Sequence, residues 1–385
     1  MNFILFDDHR NQLLPITFTR PVCDIRIGIL TIREKWEKYL KAKTSTLTEE
    51  YLNKKFPLTE KPQNLLINGS ICPNQKLLKD ILSLKTGDAL YSGDTLVAIN
   101  TPSADIAKYK NKKETNSFYL QVKNLWDIFQ KNGKAIEDDF ILLTKGKKSQ
   151  KLNKNNQVIN PKNIFIEKGA KVECAILNAS TGPIYIAGDA EVMEGSIIRG
   201  PFSLGEHSQV KMGAKIYGPT TIGPESKVGG EINNSVIFGY SNKAHDGFLG
   251  NSVIGEWCNI GADSNNSNLK NNYANVKLWN YTTEKFENTG LTFCGLIMAD
   301  HSKCGINTMF NTGTVVGVNA NVFGAGFPRN FIPDFSWGGA AGFTTYKLND
   351  AFATAEKVLQ RRNKSLNDTE KEILSKVSEM TEKYR

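Results

Sequence analysis

A chain of 385 residues is longer than one ordinary hydrophobic core serves, so two domains are expected. Apolar content of 40% and charged content of 23% are those of a globular protein, and no apolar run is long enough to span a bilayer, which sets a membrane protein aside. The net charge of +9 collects in lysines between Lys108 and Lys171, but no zinc-finger spacing, RNP-type aromatic signature or basic heptad helix accompanies it, so nucleic acid is not an expected partner.

The opening MNFILFDDHR runs from a short apolar stretch directly into Asp7 and Asp8. It lacks a basic leader region and a small-residue cleavage site, and so does not read as a signal peptide. The six cysteines are scattered without a CxxC pair, which points to reduced thiols in a cytoplasmic protein and away from a zinc ribbon. NFILF reads as a short buried strand, and GILTIREKWEKYL has apolar residues at helical spacing. NLLING, TLVAI and FYLQV are further β-rich runs, and VKNLWDIFQKNGKAIEDDFILL reads as a helix followed by a strand. Alternating strands and helices over residues 1–150 predict an α/β domain with a mostly parallel sheet. The lysine- and asparagine-rich KGKKSQKLNKNNQVINPKN has almost no periodicity; residues 151–163 read as a linker.

From residue 164 the pattern changes. An apolar residue returns every six positions at Ile186, Val192, Ile198, Leu204, Val210, Ile216, Ile222 and Val228. Small residues follow four places later at Ala190, Ser196, Ser208, Ala214, Thr220 and Ser226. A period of six over this length is neither helical nor simple strand alternation; it marks a parallel β-helix of hexapeptide repeats, here over residues 164–340. The apolar residue points into a narrow prism and the small one fits beside it, while the glycines of LG, IG and VG are expected to supply the dihedrals of the corner turns. The frame then shifts and resumes at Val236, Phe248, Ile254 and Ile260, with Asn242 where an apolar residue is due. It breaks across DSNNSNLKNNYANVKLWNYTTEKFENTG, which predicts a loop extruded from one corner, and recovers around Ile306, Thr312 and Val318. Residues 341–385 hold two stretches of helical spacing, the second capped by Asn367 or Asp368, suited to covering the solenoid.

The segment GYSNKAHDGFLGNSVIGEWCNIGADSNNSNLKNNYANVK resembles the acetyltransferase half of the bifunctional UDP-N-acetylglucosamine pyrophosphorylase / glucosamine-1-phosphate N-acetyltransferase family. That family carries a lysine and a histidine just before an LG repeat, then a NIGAGT-type coil and an asparagine–tyrosine loop. The counterparts are Lys243, His245, FLG, NIGADS and NLKNNY. The resemblance implies a left-handed β-helix, acetyl-CoA as cosubstrate, an amino-sugar 1-phosphate as acceptor and a homotrimer with sites between adjacent prisms. It makes His245 the general base, and Lys243, Asn268, Lys270 and Tyr273 the sugar-phosphate contacts. A base of this kind is what the chemistry asks for, because an amine attacks a thioester only as it loses a proton, and histidine suits neutral pH. His207 and His301 do not complete the three-histidine spacing of a zinc site.

The start, ILFDDHRNQLLPITFTRPVCDIRIGILTIREKWE, resembles a divergent branch of the same group, in which FDDHR stands where a glycine-rich phosphate loop is usual. The implied fold is nucleotidyltransferase-like (Rossmann-like). Nucleotidyl transfer from UTP or dTTP to a sugar 1-phosphate needs Mg2+ on carboxylates and cations on the phosphates. The nearest set is Asp7, Asp8, Arg10, Arg20, Asp24 and Arg26, with Asp7 and Asp8 for the metal and Arg10, Arg20 and Arg26 for the nucleotide. Three readings stay open: a transferase with both activities, an acetyltransferase with a degenerate or regulatory N-terminal domain, and a non-enzymatic assembly subunit.

Overall fold

The computed structural model describes residues 1–385, which divide into two compact units. The first comprises Met1–Leu13, Thr17–Ile25 and Leu30–Asn124; the second comprises Leu14–Ile16, Arg26–Ile29 and Leu125–Arg385. No helix is long and apolar enough to cross a membrane.

The first unit is built on a six-stranded sheet of β1 (Asn2–Phe6), β2 (Ser45–Leu47), β3 (Asn64–Asn68), β4 (Asp88–Ser92), β5 (Thr95–Thr101) and β6 (Asn111–Glu114), in the order β2-β1-β3-β5-β4-β6. Its helices are α1 (Ile32–Leu40) and α2 (Gln75–Leu82). The sheet is mixed: β1 runs parallel to β2 and β3, and β4 to β6, but β5 is antiparallel to both β3 and β4. Three of the five pairings are thus parallel, and the antiparallel pairing of β5 with β4 has a local cause. Ser92 pairs with Thr95 across the two-residue turn Gly93–Asp94, and so short a connection joins only antiparallel strands. The sheet buries Ile4, Phe6, Leu66, Ala89 and Ile99. α1 starts at a capping box, with Thr31 accepting from the Glu34 N–H and Glu34 reaching back to the Thr31 N–H. FYLQV forms no strand beyond one bridge from Gln121 to Ile71.

The expected strand at the end of VKNLWDIFQKNGKAIEDDFILL is helical. α3 (Asp127–Gln130) is followed by α4 (Asn132–Thr144), which buries Asn132, Ala135, Ile136, Asp139 and Leu143 on one face and leaves Ile141 exposed. An apolar run of four residues fits either element, and here the helical face decides. Both helices belong to the second unit, so the first closes at Asn124. The Asn132 side chain accepts from the Gly28 N–H (2.7 Å) and the Thr221 hydroxyl (3.0 Å) and donates to the Pro219 carbonyl (3.1 Å).

The rest of the second unit is a parallel β-solenoid over residues 157–338, with sheets of six, nine and ten strands as its three faces. All eight apolar residues of the first frame and all six small residues behind them are buried. One inward column runs Ile186, Leu204, Ile222, Ile237, Ile254 and Met298. The corners are not built as expected. Left-handed backbone falls on non-glycine residues, among them Asp189, His207, Glu225, Tyr240, Trp257 and His301, and on other glycines such as Gly195, Gly213 and Gly230, but not on Gly205, Gly223 or Gly229 of LG, IG and VG. The glycines after the apolar residues serve close approach instead: a Cβ on Gly223 would lie 1.8 Å from the Phe238 carbonyl oxygen, and one on Gly229 would lie 2.4 Å from that of Ala244.

After Val228 the inward residues are Ile232, Ile237, Lys243, Leu249, Ile254 and Ile260, one place later than the shifted frame implies at three of them. Past the break they are Cys304, Phe310 and Val316, two places before Ile306, Thr312 and Val318; Ile306 is exposed. A fixed period cannot follow corners that change length. The chain leaves the solenoid after Asn266, forms an antiparallel hairpin of Lys277–Asn280 with Lys285–Asn288, and returns at Gly295, whose N–H donates to the Asn251 carbonyl (2.9 Å). α5 (Leu348–Gln360) and α6 (Asp368–Met380) follow, the latter capped by Asn367, which accepts from the Glu370 N–H (2.9 Å).

Candidate functional site

The solenoid column that carries Val210 and Val228 continues with Lys243 and then Ile260 and Cys304. A lysine therefore occupies a position held by apolar residues in the coils on either side. It is 2% exposed, and its ammonium turns back to donate to the carbonyl oxygens of His245 and, at 2.9 Å, Asp246. Burial lowers its pKa to about 8, against the opposing pull of Asp246 and Asp263. Two further contacts fix the same turn. The Asp246 carbonyl accepts from the Asp263 N–H of the next coil (3.1 Å). Gly247, at φ +105°, sits where a Cβ would come 2.2 Å from the Ser264 carbonyl oxygen.

On this pinned turn His245 is exposed, and neither Asp246 nor a backbone carbonyl hydrogen-bonds to its ring. The imidazole thus stands open on a rigid corner. It occupies the second place after the inward residue, as do Met212 after Val210 and Ile306 after Cys304; these two side chains are each 71% exposed. The edge bearing the imidazole is accordingly rich in exposed apolar side chains.

The extruded segment holds the remaining expected contacts. Asn268 donates to the Asn251 side chain (2.7 Å) and its carbonyl accepts from the Cys294 N–H (3.0 Å), which ties the two ends of the loop together. Lys270 donates to the Asn275 carbonyl (3.2 Å), and Tyr273 is 70% exposed. Lys270 also lines a cavity of about 620 Å3 with Lys277, Arg329, Phe286 and Phe331. Three cations and two aromatic rings there suit an anionic ligand with an apolar face. The side chains of Asn268, Lys270 and Tyr273 make no hydrogen bond to His245 within one chain. Sequence reasoning missed Lys277 and Arg329, whose only signal is membership of the extruded loop and the coil beside it. It also missed Asn266, a buried member of the run NNSN that bonds both the N–H (2.9 Å) and the carbonyl (3.1 Å) of Gly250.

In the first unit, Asp7 accepts from Arg10 (3.2 Å), the Thr48 hydroxyl and the Val22 N–H (2.8 Å). Burial raises its pKa against the pull of these donors. Arg10 is buried and donates to the Arg20 carbonyl (3.0 Å), the Thr17 carbonyl and the Tyr51 hydroxyl (2.9 Å). Arg20 is buried too. Arg26 lies in the second unit, where it donates to the carbonyls of Phe238 (2.8 Å) and Ile29 (2.6 Å). Asp8 accepts from Asn68 (2.7 Å) and the His9 N–H (3.0 Å) and is half-buried at the end of β1. The Asp7 carboxylate is thus engaged by three protein donors and 9% exposed, while Asp8 at 32% is the more open of the two.

The fold defines a two-part chain, an α/β unit leading into a parallel β-solenoid. Comparison with known proteins locates a family match in the first part. Residues 3–148 match the model of the sugar nucleotidyl transferase family. Over 89 residues the chain is 34% identical to the bifunctional protein GlmU of Methanocaldococcus jannaschii, a match spanning 23% of this chain and 21% of that relative's length. The crystal structure of Arabidopsis UDP-N-acetylglucosamine acyltransferase is 14% identical, with 61% of this chain and 91% of that one covered at a TM-score of 0.25. The chain is thus similar to sugar nucleotidyl transferases over residues 3–148, ahead of its β-helix, and it spans about a fifth of the length of the curated relative it matches.

Proposed function

We propose that this protein is a cytoplasmic transferase of sugar-nucleotide synthesis that moves the acetyl group of acetyl-CoA to the amine of an amino-sugar 1-phosphate such as glucosamine 1-phosphate. The observation that carries the reading is the open imidazole of His245 on a turn locked by Lys243. In this mechanism the acceptor nitrogen attacks the thioester carbonyl while His245 takes its proton, and the thiolate of CoA leaves with a proton returned by the same ring. Lys270, with Lys277 and Arg329 around the cavity beside it, receives the sugar phosphate. Asn268 and Tyr273 stand on the same loop as sugar contacts. Lys243 acts as a positioning residue rather than a phosphate contact, because its ammonium is buried against its own turn. The exposed apolar edge at Met212 and Ile306 supports a homotrimer in which this corner meets a second prism.

For the first unit the family match supports nucleotidyl transfer from UTP or dTTP to the sugar 1-phosphate. The Asp7 carboxylate, buried and engaged by three protein donors, favours a second reading, in which this unit binds a sugar nucleotide or nucleoside triphosphate without turning it over. Pyrophosphate release from each triphosphate with a panel of sugar 1-phosphates and Mg2+ separates them: sustained release supports transfer, and none across the panel supports the second. The acetyl-transfer proposal is tested by CoA release with glucosamine 1-phosphate. His245→Ala is expected to lose at least a hundredfold in rate, and activity within threefold of wild type overturns the base assignment. A purely structural assembly role predicts no shift in thermal stability with acetyl-CoA, whereas a binding site predicts a rise.

A further inference from the structure

A second cavity, of about 300 Å3, lies between the ten-stranded face of the solenoid and the end of α5. Its walls carry Lys303, Arg361 and Arg362, the amides of Asn242 and Asn259, and the ring of Trp257. None of these lining residues is an aspartate or glutamate. Arg362 places its Nε 3.5 Å from Glu225, and the buried Asp300 acts on Cys258 in the wall, while Arg361 and Lys303 form no ion pair. Lys303 is instead turned onto the His301 carbonyl (2.7 Å), in the way that Lys243 is turned onto its own corner. The cations here act on one another: Lys227 has its pKa lowered by its own burial first and then by Arg362, Lys211 and Arg361, with only Glu225 opposing. The Oδ1 of Asn242 is buried with no donor. The aromatic wall is rigid, since Trp257 stacks on Tyr240 at 4.3 Å between ring centroids and Lys364 lies 5.4 Å over the Tyr240 ring.

Three cations gathered around a cavity with only Glu225 in ion-pair contact repel each other, and a fold keeps such an arrangement at a cost unless an anion offsets it. An orphaned acceptor beside them asks in addition for a donor, which a phosphate hydroxyl or a sugar hydroxyl supplies. We infer that this cavity is a binding site for the phosphoryl group of a small phosphorylated ligand, held by Lys303, Arg361 and Arg362 with Asn242 accepting from a ligand hydroxyl. The site is separate from the imidazole of His245 and does not depend on acetyl transfer. Two sources present the same chemistry: the phosphates of CoA, and those of a nucleotide sugar.

Calorimetry on the full chain at low salt, with pyrophosphate, CoA and UDP-N-acetylglucosamine as probes, tests it. Wild type is expected to bind at least one probe, and Arg361→Gln together with Lys303→Met to weaken that binding tenfold or more. Weakened CoA binding in the double variant identifies the first source, and weakened binding of UDP-N-acetylglucosamine together with pyrophosphate the second. Arg361 is exposed, so Arg361→Gln alone keeps the fold and is expected to give a smaller loss of the same sign. Absence of binding by wild type at millimolar probe, or equal binding by the double variant, overturns the inference.

Discussion

Replacing Lys243 by methionine takes a charge out of the solenoid interior while keeping the side chain's reach. In the wild type the amine has a pKa of about 8, against 10.5 for a free lysine. A lysine whose folded pKa is lowered binds fewer protons when folded than when unfolded between those two values. Stability therefore rises as pH climbs from about 8 towards 10.5, and below 8 the full cost of holding the buried charge is present. At about 1.4 kcal/mol per pKa unit that cost is on the order of 3 kcal/mol. Methionine has no proton to lose and lacks the rise. It also leaves the carbonyls of His245 and Asp246 without their donor, at about 1–3 kcal/mol for each that stays buried. At pH 7 the two effects oppose, so Lys243→Met is expected to lie within about 3 kcal/mol of wild type. Between pH 7 and 10 the comparison should move against the variant by on the order of 3 kcal/mol. Urea unfolding of the β-helix transition at both pH values measures this, and an identical difference at the two refutes the reasoning. The kinetics give a second readout. A positioning role predicts that kcat for acetyl transfer falls tenfold or more with KM for the sugar phosphate nearly unchanged, whereas a phosphate contact predicts a raised KM.

Arg10→Ala should destabilise the first unit by about 3–5 kcal/mol in the absence of any nucleotide, because it strands the buried Asp7 carboxylate. A variant as stable as wild type and weakened only in nucleotide binding would contradict the structural role. Gly247→Ala forces both a strained φ and a contact with Ser264, and is expected to cost at least about 2 kcal/mol and to reduce acetyl transfer along with the melting temperature. Replacing both exposed apolar corner residues, Met212→Glu with Ile306→Glu, should shift the assembly towards monomer in light scattering while each prism stays folded. An unchanged molar mass would remove that edge from any subunit seam.

The solenoid was legible because every coil repeats one demand: an apolar residue inward and a small one beside it, as the buried run from Ile186 to Val228 meets without a gap. The same rule misplaced the site by one residue. With corners of unequal length the six-residue frame named Asn242 as the odd position, while the strand pairing puts Lys243 inside the column. The distinction matters, since the buried residue is the one that pins the turn of His245. In the first unit, β1, β3 and β5 stood out as apolar runs, yet their pairing depended on the short turn at Gly93, and FILL fitted strand and helix equally until the buried face of α4 decided. The arginines after FDDHR were readable as cations. Their bonding to backbone carbonyls was not, because it arises from contacts such as Arg26 with Phe238, distant in sequence.

The central claim is that the His245 corner performs acetyl transfer, and the most direct measurement is a crystal structure of the chain soaked with acetyl-CoA and UDP-N-acetylglucosamine. The account predicts the acetyl carbonyl of bound acetyl-CoA, or the N-acetyl group of the product sugar, within hydrogen-bond reach of the His245 ring. Acetyl-CoA bound with its thioester remote from His245 in every copy would contradict it.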